Sequence, residues 1–333
     1  MSANMTAHGM PWTAPSPEIP QPTPDASRTR SPLLTALSSL RRTPWFESAF
    51  LRAFRAFQAV GLTVLPNHFY WPIPDLRRLE QRDWSPRTPG LDLRLDDQAE
   101  FASTISSRYS LELQFPEEGG EDDSLYHRNN GFFETVDADI AYSMVRSKKP
   151  RRIIEIGGGF STRLMAQAAR FNTAEGNPCE LISVEPYPDQ TLRRGFDGLS
   201  LLIPRRVQEV PLELFDSLQA GDILFIDSSH VVSVGSDVVY EFFEILPRLR
   251  KGVIVHMHDI FYPSDYPRDA VLRFLWFWSE QYLLEAFLTA NSGFQILWGS
   301  SAMLMLCPEV LESSFPGWSR SYTKMPAKAR QFI

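Results

Sequence analysis

Carboxylates and histidines stand at the ends of the apolar runs of this chain. Glu155 lies in the run 153–156, Glu185 closes 180–185, Asp227 closes 221–227, and His258 and Asp259 close 253–259. His230 follows Asp227 at the third position. Such a set can move a proton. An imidazole with an ordinary pKa of about 6.5 suits removal of a proton from a hydroxyl or amine. His230 or His258 would be that base, with Asp227 or Asp259 fixing its tautomer. The set can also hold a cation, since carboxylates suit magnesium and one imidazole tolerates a transition metal. Asp227, His258 and Asp259 are the ligands expected in that case. In a third reading, both histidines only satisfy buried backbone groups. His256 shares a strand face with His258 and is read as structural.

Something must bring these residues together, and the stretch 153–162 is the organising element. Ile153, Ile154 and Ile156 favour a strand, Gly157, Gly158 and Gly159 favour a tight turn, and the residues after Phe160 favour a helix. Glycines there permit positive φ and let a ligand approach the main chain. The helix start offers free N–H groups, and Ser161 and Thr162 add hydroxyls. Glu185, 26 residues beyond Gly159, stands close to where an α/β nucleotide site places the acid that accepts ribose hydroxyls. A dinucleotide fingerprint requires a small third residue, and Thr162 occupies that place, which disfavours an NAD-dependent dehydrogenase.

Further strands are expected over 180–185, 199–203, 221–227 and 253–259, with helices over 137–146 and 161–171 between or before them. A helix over 236–250 should kink at Pro247. A long helix over 271–289 and a closing hairpin of 294–298 with 302–306 complete the pattern. Strands alternating with helices imply a mostly parallel sheet covered on both faces, with strand ends delivering Glu155, Glu185, Asp227 and Asp259 to one crevice.

The segments IIEIGGGFST, SVEP, FIDSSH and VHMHDI, with SEQYLLEAFL and PNHFYWPIPD, occur in one chain between about Pro66 and Leu306. Together they resemble class I S-adenosylmethionine-dependent methyltransferases of the methyltransferase-domain type. Gly158 stands where relatives more often carry serine, and Ser279 where they often carry asparagine. The resemblance implies an α/β, doubly wound, mostly parallel seven-stranded sheet with an N-terminal, largely helical extension. It implies S-adenosylmethionine held by Glu155, Gly157, Gly158, Gly159, Ser161, Thr162, Glu185 and Asp227. Methyl transfer to an oxygen, or as second choice a nitrogen, of a small molecule would follow, with a histidine base and room for a divalent cation, magnesium or another. Related small-molecule O-methyltransferases place acidic ligands at the ends of these two later strands. The competing class of function is a cofactor-binding scaffold or partner subunit without catalysis.

The chain has 333 residues, 43% of them hydrophobic, and a net charge of −7. That balance points away from nucleic acid and anionic membranes. Two cysteines, Cys179 and Cys307, make no disulfide framework, which fits a reducing, cytoplasmic setting. No leader or spanning run is evident. Residues 1–30 are proline-rich and polar and are expected to be disordered. Residues 31–125 are expected to form a helical and looped extension capping the pocket, 126–307 the cofactor-binding domain, and 308–333 a tail. The expected partner is a small-molecule acceptor, and the chain leaves room for a homodimer.

Overall fold

The computed structural model describes residues 44–65, 70–87 and 90–315. The proline-rich tail, residues 66–69 of the PNHFYWPIPD loop and the end of the chain lie outside the described residues. The chain divides into two compact units, Met1–Trp71 and Pro72–Ile333. In the first, the described part is mainly the helix Pro44–Ala59, in which Phe50 and Phe54 place their rings 6.4 Å apart.

The second unit is built on five strands. These are β1 (Arg152–Ile156), β2 (Glu180–Val184), β3 (Leu201–Ile203), β4 (Ile223–Ile226) and β5 (Ile254–Met257). All neighbours pair in parallel, in the order β3-β2-β1-β4-β5. Parallel strands buried on both faces read as continuous apolar runs, which is why β1 and β4 were legible. Alternation then sorts their side chains. Ile153, Leu181, Ile223 and Phe225 face the helices Asp137–Lys148 and Phe160–Ala174, where Leu164, Met165 and Ala168 meet them. Ile154, Ile156, Val184, Leu224 and Ile226 face the opposite layer with Phe215, Leu218, Phe242 and Ile245. Strand order reverses at β1, so the crevice beyond the carboxyl ends of β1 and β4 is where this topology places a ligand.

Three elements differ from expectation. Among the described residues the sheet has five strands. The hairpin that would have extended it is replaced by the helix Ser300–Leu306, whose Ala302 and Met303 are buried. Its sequence SSAMLML carries no β-branched residue, and small residues and methionines suit a packed helix. The long helix is instead two, Arg268–Arg273 and Glu280–Ala290, separated by residues 274–279, where Trp276 stacks on Trp278 with centroids 4.5 Å apart. Aromatic crowding and a positive φ of 59° at Leu275 break the helical run. The helix around Pro247 changes pitch twice. It is α over Asp237–Tyr240, π over Glu241–Ile245 and 3-10 over Leu246–Arg248, because proline cannot donate the next bond.

A further helix, Leu95–Tyr109, lies in a stretch for which the sequence reading named no element. Its Ala102, Ile105 and Tyr109 join the core formed by the helix Asp137–Lys148 and by Leu311 and Phe315. No helix among the described residues is long and apolar enough to cross a membrane.

Candidate functional site: a two-part crevice at the strand ends

The first part lies beyond β1 and β2. Gly157 has φ of 85°, and a Cβ there would sit 1.8 Å from the carbonyl oxygen of Asp227. Only glycine lets the loop pass this close to the end of β4. The Gly158 N–H donates to Glu185 Oε2 at 3.0 Å, and the Tyr187 N–H donates to Glu185 Oε1 at 2.6 Å. The carboxylate of Glu185 is thereby fixed beside the glycine loop. Gly159, with extended φ, has nothing within 4 Å of where a Cβ would be. It is the open member of the three.

Glu155 lies under this loop, fully buried. It accepts from Ser161 Oγ at 2.7 Å and Thr162 Oγ1 at 2.5 Å, while Thr162 Oγ1 accepts the Gly159 N–H at 2.9 Å. The hydroxyls expected to face a ligand therefore point inward, to a carboxyl that ties the helix start to β1. Burial pushes the Glu155 pKa up to about 7, against the pull of the two hydroxyls.

The second part lies beyond β4 and β5. The Asp227 N–H donates to the Ile156 carbonyl at 2.8 Å, and the His258 N–H to that of Ile226 at 2.9 Å. The sheet ladder thus carries both residues to the rim. The structure brings Asp227, His230 and Asp259 together. His230 Nε2 lies 3.3 Å from Asp227 Oδ1 and 3.6 Å from Asp259 Oδ2. One potential ligand atom from each of the three lies within 4.8 Å of the others.

The cation set expected from the sequence used His258, and here the structure differs. His258 is 3.8 Å from Asp259 Oδ1, but its ring packs on Phe133 and beside His256, with centroids 5.0 and 5.7 Å away. Positive φ values of 60° at His230 and 55° at Asp259 turn those two residues towards each other, a backbone feature that sequence alone does not disclose. His256 stacks on Phe225 at 4.0 Å, and burial drives its pKa down to about 3, consistent with a neutral structural ring.

Electrostatics separate the members of the cluster. Burial opposes the charge of His230, but bonds to Asp227 and Glu280 outweigh it and hold its pKa up at about 10. Burial also acts against ionised Asp227, yet His258 and His230 hold it below the usual carboxylate range. Burial pushes Asp259 up despite both rings. Paired groups pushed apart in this way mark proton-handling and ion-binding sites.

Sequence reasoning missed Glu280, whose Oε2 lies 2.9 Å from His230 Nδ1. It also missed Trp278, whose ring packs 4.5 Å from that of His230. Both belong to or adjoin the SEQYLLEAFL segment, which stood out as a motif without a role.

A protein-family model described as a methyltransferase domain matches residues 154–260. The match opens in β1 and ends just past Asp259, so it takes in both parts of the crevice while leaving out Glu280. An uncharacterized protein of Archaeoglobus fulgidus is 34% identical over 174 residues, covering 49% of this chain and 77% of the relative. The parallel 3-2-1-4-5 sheet, the glycine loop against Glu185 and these two likenesses agree, and the chain belongs to the methyltransferase-domain family.

Proposed function

We propose that the protein transfers a methyl group from S-adenosylmethionine to an oxygen, or as second choice a nitrogen, of a small-molecule acceptor. The observation that carries this reading is the contact between the glycine loop and Glu185, through the Gly158 N–H at 3.0 Å. It sets a carboxylate suited to ribose hydroxyls beside a loop in which Gly159 is open and Gly157 passes close to the Asp227 carbonyl. When bound, the cofactor supplies a methyl carbon on a positively charged sulfur, an electrophile that a lone pair can displace directly. Glu185 is assigned to the ribose hydroxyls. Gly158 and Gly159 line the cofactor, and Asp227 borders its methyl end. Glu155, Gly157, Ser161 and Thr162 serve from beneath by fixing the loop's shape.

At the acceptor end, the residues have to align a hydroxyl and dispose of its proton. His230 is assigned to this, with Nε2 turned to the crevice and Asp227 and Asp259 stabilising the imidazolium formed. Because bonds to Asp227 and Glu280 hold its pKa up at about 10, the neutral ring that accepts the proton is the minor form near pH 7. Turnover through it therefore rises with pH towards that value. His258, packed on Phe133, supports the cluster's field.

A second reading is favoured by the compactness of the cluster. Two carboxylates and one imidazole within 4.8 Å fit a divalent cation. Asp227, His230 and Asp259 would hold it, and such an ion supplies positive charge that lowers the pKa of a bound hydroxyl. The side chains of Asp227 and Asp259 are 32% and 21% exposed, enough to face an incoming ligand.

The test is turnover of labelled S-adenosylmethionine in a metabolite extract, with and without chelator. Label transfer that chelator abolishes and a divalent ion restores supports the cation reading. Transfer indifferent to chelator supports His230 as base. Cofactor binding with no transfer to any acceptor would contradict the catalytic reading.

A further inference from the structure

The helix Glu280–Ala290 begins at a point where no cofactor contact is expected, yet its first turn grips both loops of the acceptor end. The N–H groups of Ser279 and Glu280 donate to the His230 carbonyl at 2.8 and 3.1 Å. Ser279 Oγ accepts the Val232 N–H at 2.8 Å. Glu280 Oε2 meets His230 Nδ1 at 2.9 Å. Gln281 reaches the other way. Its Oε1 accepts the Phe261 N–H at 2.6 Å, its Nε2 donates to the Ser264 carbonyl at 2.8 Å, and its backbone N–H donates to the Tyr266 hydroxyl at 2.8 Å. One tripeptide therefore joins the loop after β4, which carries His230, to the loop after β5, which follows Asp259.

Two costs accompany this arrangement. His230 holds a left-handed φ of 60°, a conformation that a side chain of this size keeps only where its surroundings over-determine it. Glu280 is 1% exposed, and its Oε1 has no hydrogen-bond partner among the described residues. A half-satisfied buried carboxylate is unfavourable for folding alone, and a neutral residue of similar shape would avoid much of that cost. Its place in the first turn of a helix offsets a part. What the carboxylate provides in return is an acceptor for one ring nitrogen of His230.

We propose that Glu280 is a positioning residue that acts through His230. By accepting the Nδ1–H it fixes the ring's orientation and presents Nε2 to the space between Asp227 and Asp259. Ser279 and Gln281 lock the two loops at the spacing this requires. The same hold serves a proton acceptor and a cation ligand, because both need Nε2 directed at the crevice. The proposal rests on the reading of the acceptor end given above.

The test uses the full chain, with Glu280→Gln, Glu280→Asp and Glu280→Ala compared by nitrogen-15 NMR of the histidine rings and by turnover. In the wild type the Nδ1–H of His230 should appear as a deshielded signal protected from exchange. It should shift in Glu280→Gln, disappear in Glu280→Ala and return in part in Glu280→Asp. Turnover should fall about 10–100-fold in Glu280→Gln, as for other outer-shell partners, while KM for S-adenosylmethionine stays unchanged. Titration with manganese alone should show a loss of affinity of the same size if a cation binds. Gln281→Ala loosens the same helix end but should leave the ring signal in place.

A folded Glu280→Gln variant with wild-type ring signal and wild-type turnover would overturn the proposal. If that variant does not fold, the wild-type spectrum decides, and a His230 ring without a bonded Nδ1–H overturns it equally. If the protein transfers no methyl group at all, the ring signals still decide the role of Glu280. Failure of the proposal is thereby kept apart from failure of the proposed function.

Discussion

The two ends of the crevice are built by different means. Beyond β1 and β2, the loop is contiguous in sequence and mostly made of backbone. Gly157, Gly158 and Gly159 are placed by their own conformations, and Glu155, Ser161 and Thr162 lie within eight positions of one another. Beyond β4 and β5, side chains do the work and the partners are distant. His230 is held by Glu280, 50 positions on, and faces Asp259 from another strand. A site made of main chain suits a ligand that many proteins share. A site made of side chains on separate loops can be altered residue by residue, which suits an acceptor specific to this protein.

The largest expected effect falls on the side-chain end. His230→Ala should lower turnover by about 10²–10⁴, with cofactor affinity preserved. Steady-state kinetics with a calorimetric titration would separate the two quantities. Wild-type turnover in both His230→Ala and His258→Ala would remove that end from the chemistry.

On the main-chain end the corresponding change acts on folding. Gly157→Ala sets a methyl group 1.8 Å from the Asp227 carbonyl at positive φ, so a loss of about 3 kcal/mol or more is expected in denaturant unfolding. Because Gly157 touches Asp227, this variant should also disturb the other end, and intact turnover in it would refute the coupling.

Glu155 offers a pH test of the same end. Its folded pKa of about 7 lies above the ordinary glutamate value of 4.5. A raised folded pKa means stability fully present below the unfolded value and lost as pH rises through the folded one. Replacing it by glutamine should remove that slope between pH 4.5 and about 7, a difference of up to about 3 kcal/mol. Parallel stability curves for wild type and Glu155→Gln would contradict the burial argument. The smallest effect is expected at Gly159→Ala, where φ is extended and the space is open. Stability should stay within about 0.5 kcal/mol, and a change should appear only in cofactor affinity.

What the sequence disclosed follows the same division. β1, the glycine turn, Glu185 and β4 were legible because apolar runs, glycines and strand-terminal acids are local signals. The inward turn of Ser161 and Thr162 was not, since hydroxyl direction depends on the buried Glu155 beneath them. His230 and Asp259 were recognised as candidates, but their meeting depends on positive φ at both, which no residue type announces. Glu280 was visible only as part of a motif. The seven-stranded expectation came from resemblance, and the helix Ser300–Leu306 stands where the hairpin was expected.

The central claim is that the loop and Glu185 form a cofactor site, and calorimetric titration of S-adenosylmethionine into wild type and Glu185→Ala tests it most directly. Glu185 is held by the Gly158 and Tyr187 N–H groups, so its oxygens are fixed before any ligand arrives. Saturable binding by the wild type is predicted, weakened by about 1–3 kcal/mol in the variant through loss of hydrogen bonds to a charged acceptor. Equal affinity in the two proteins would remove Glu185 from the site, and no binding by the wild type would contradict the account as a whole.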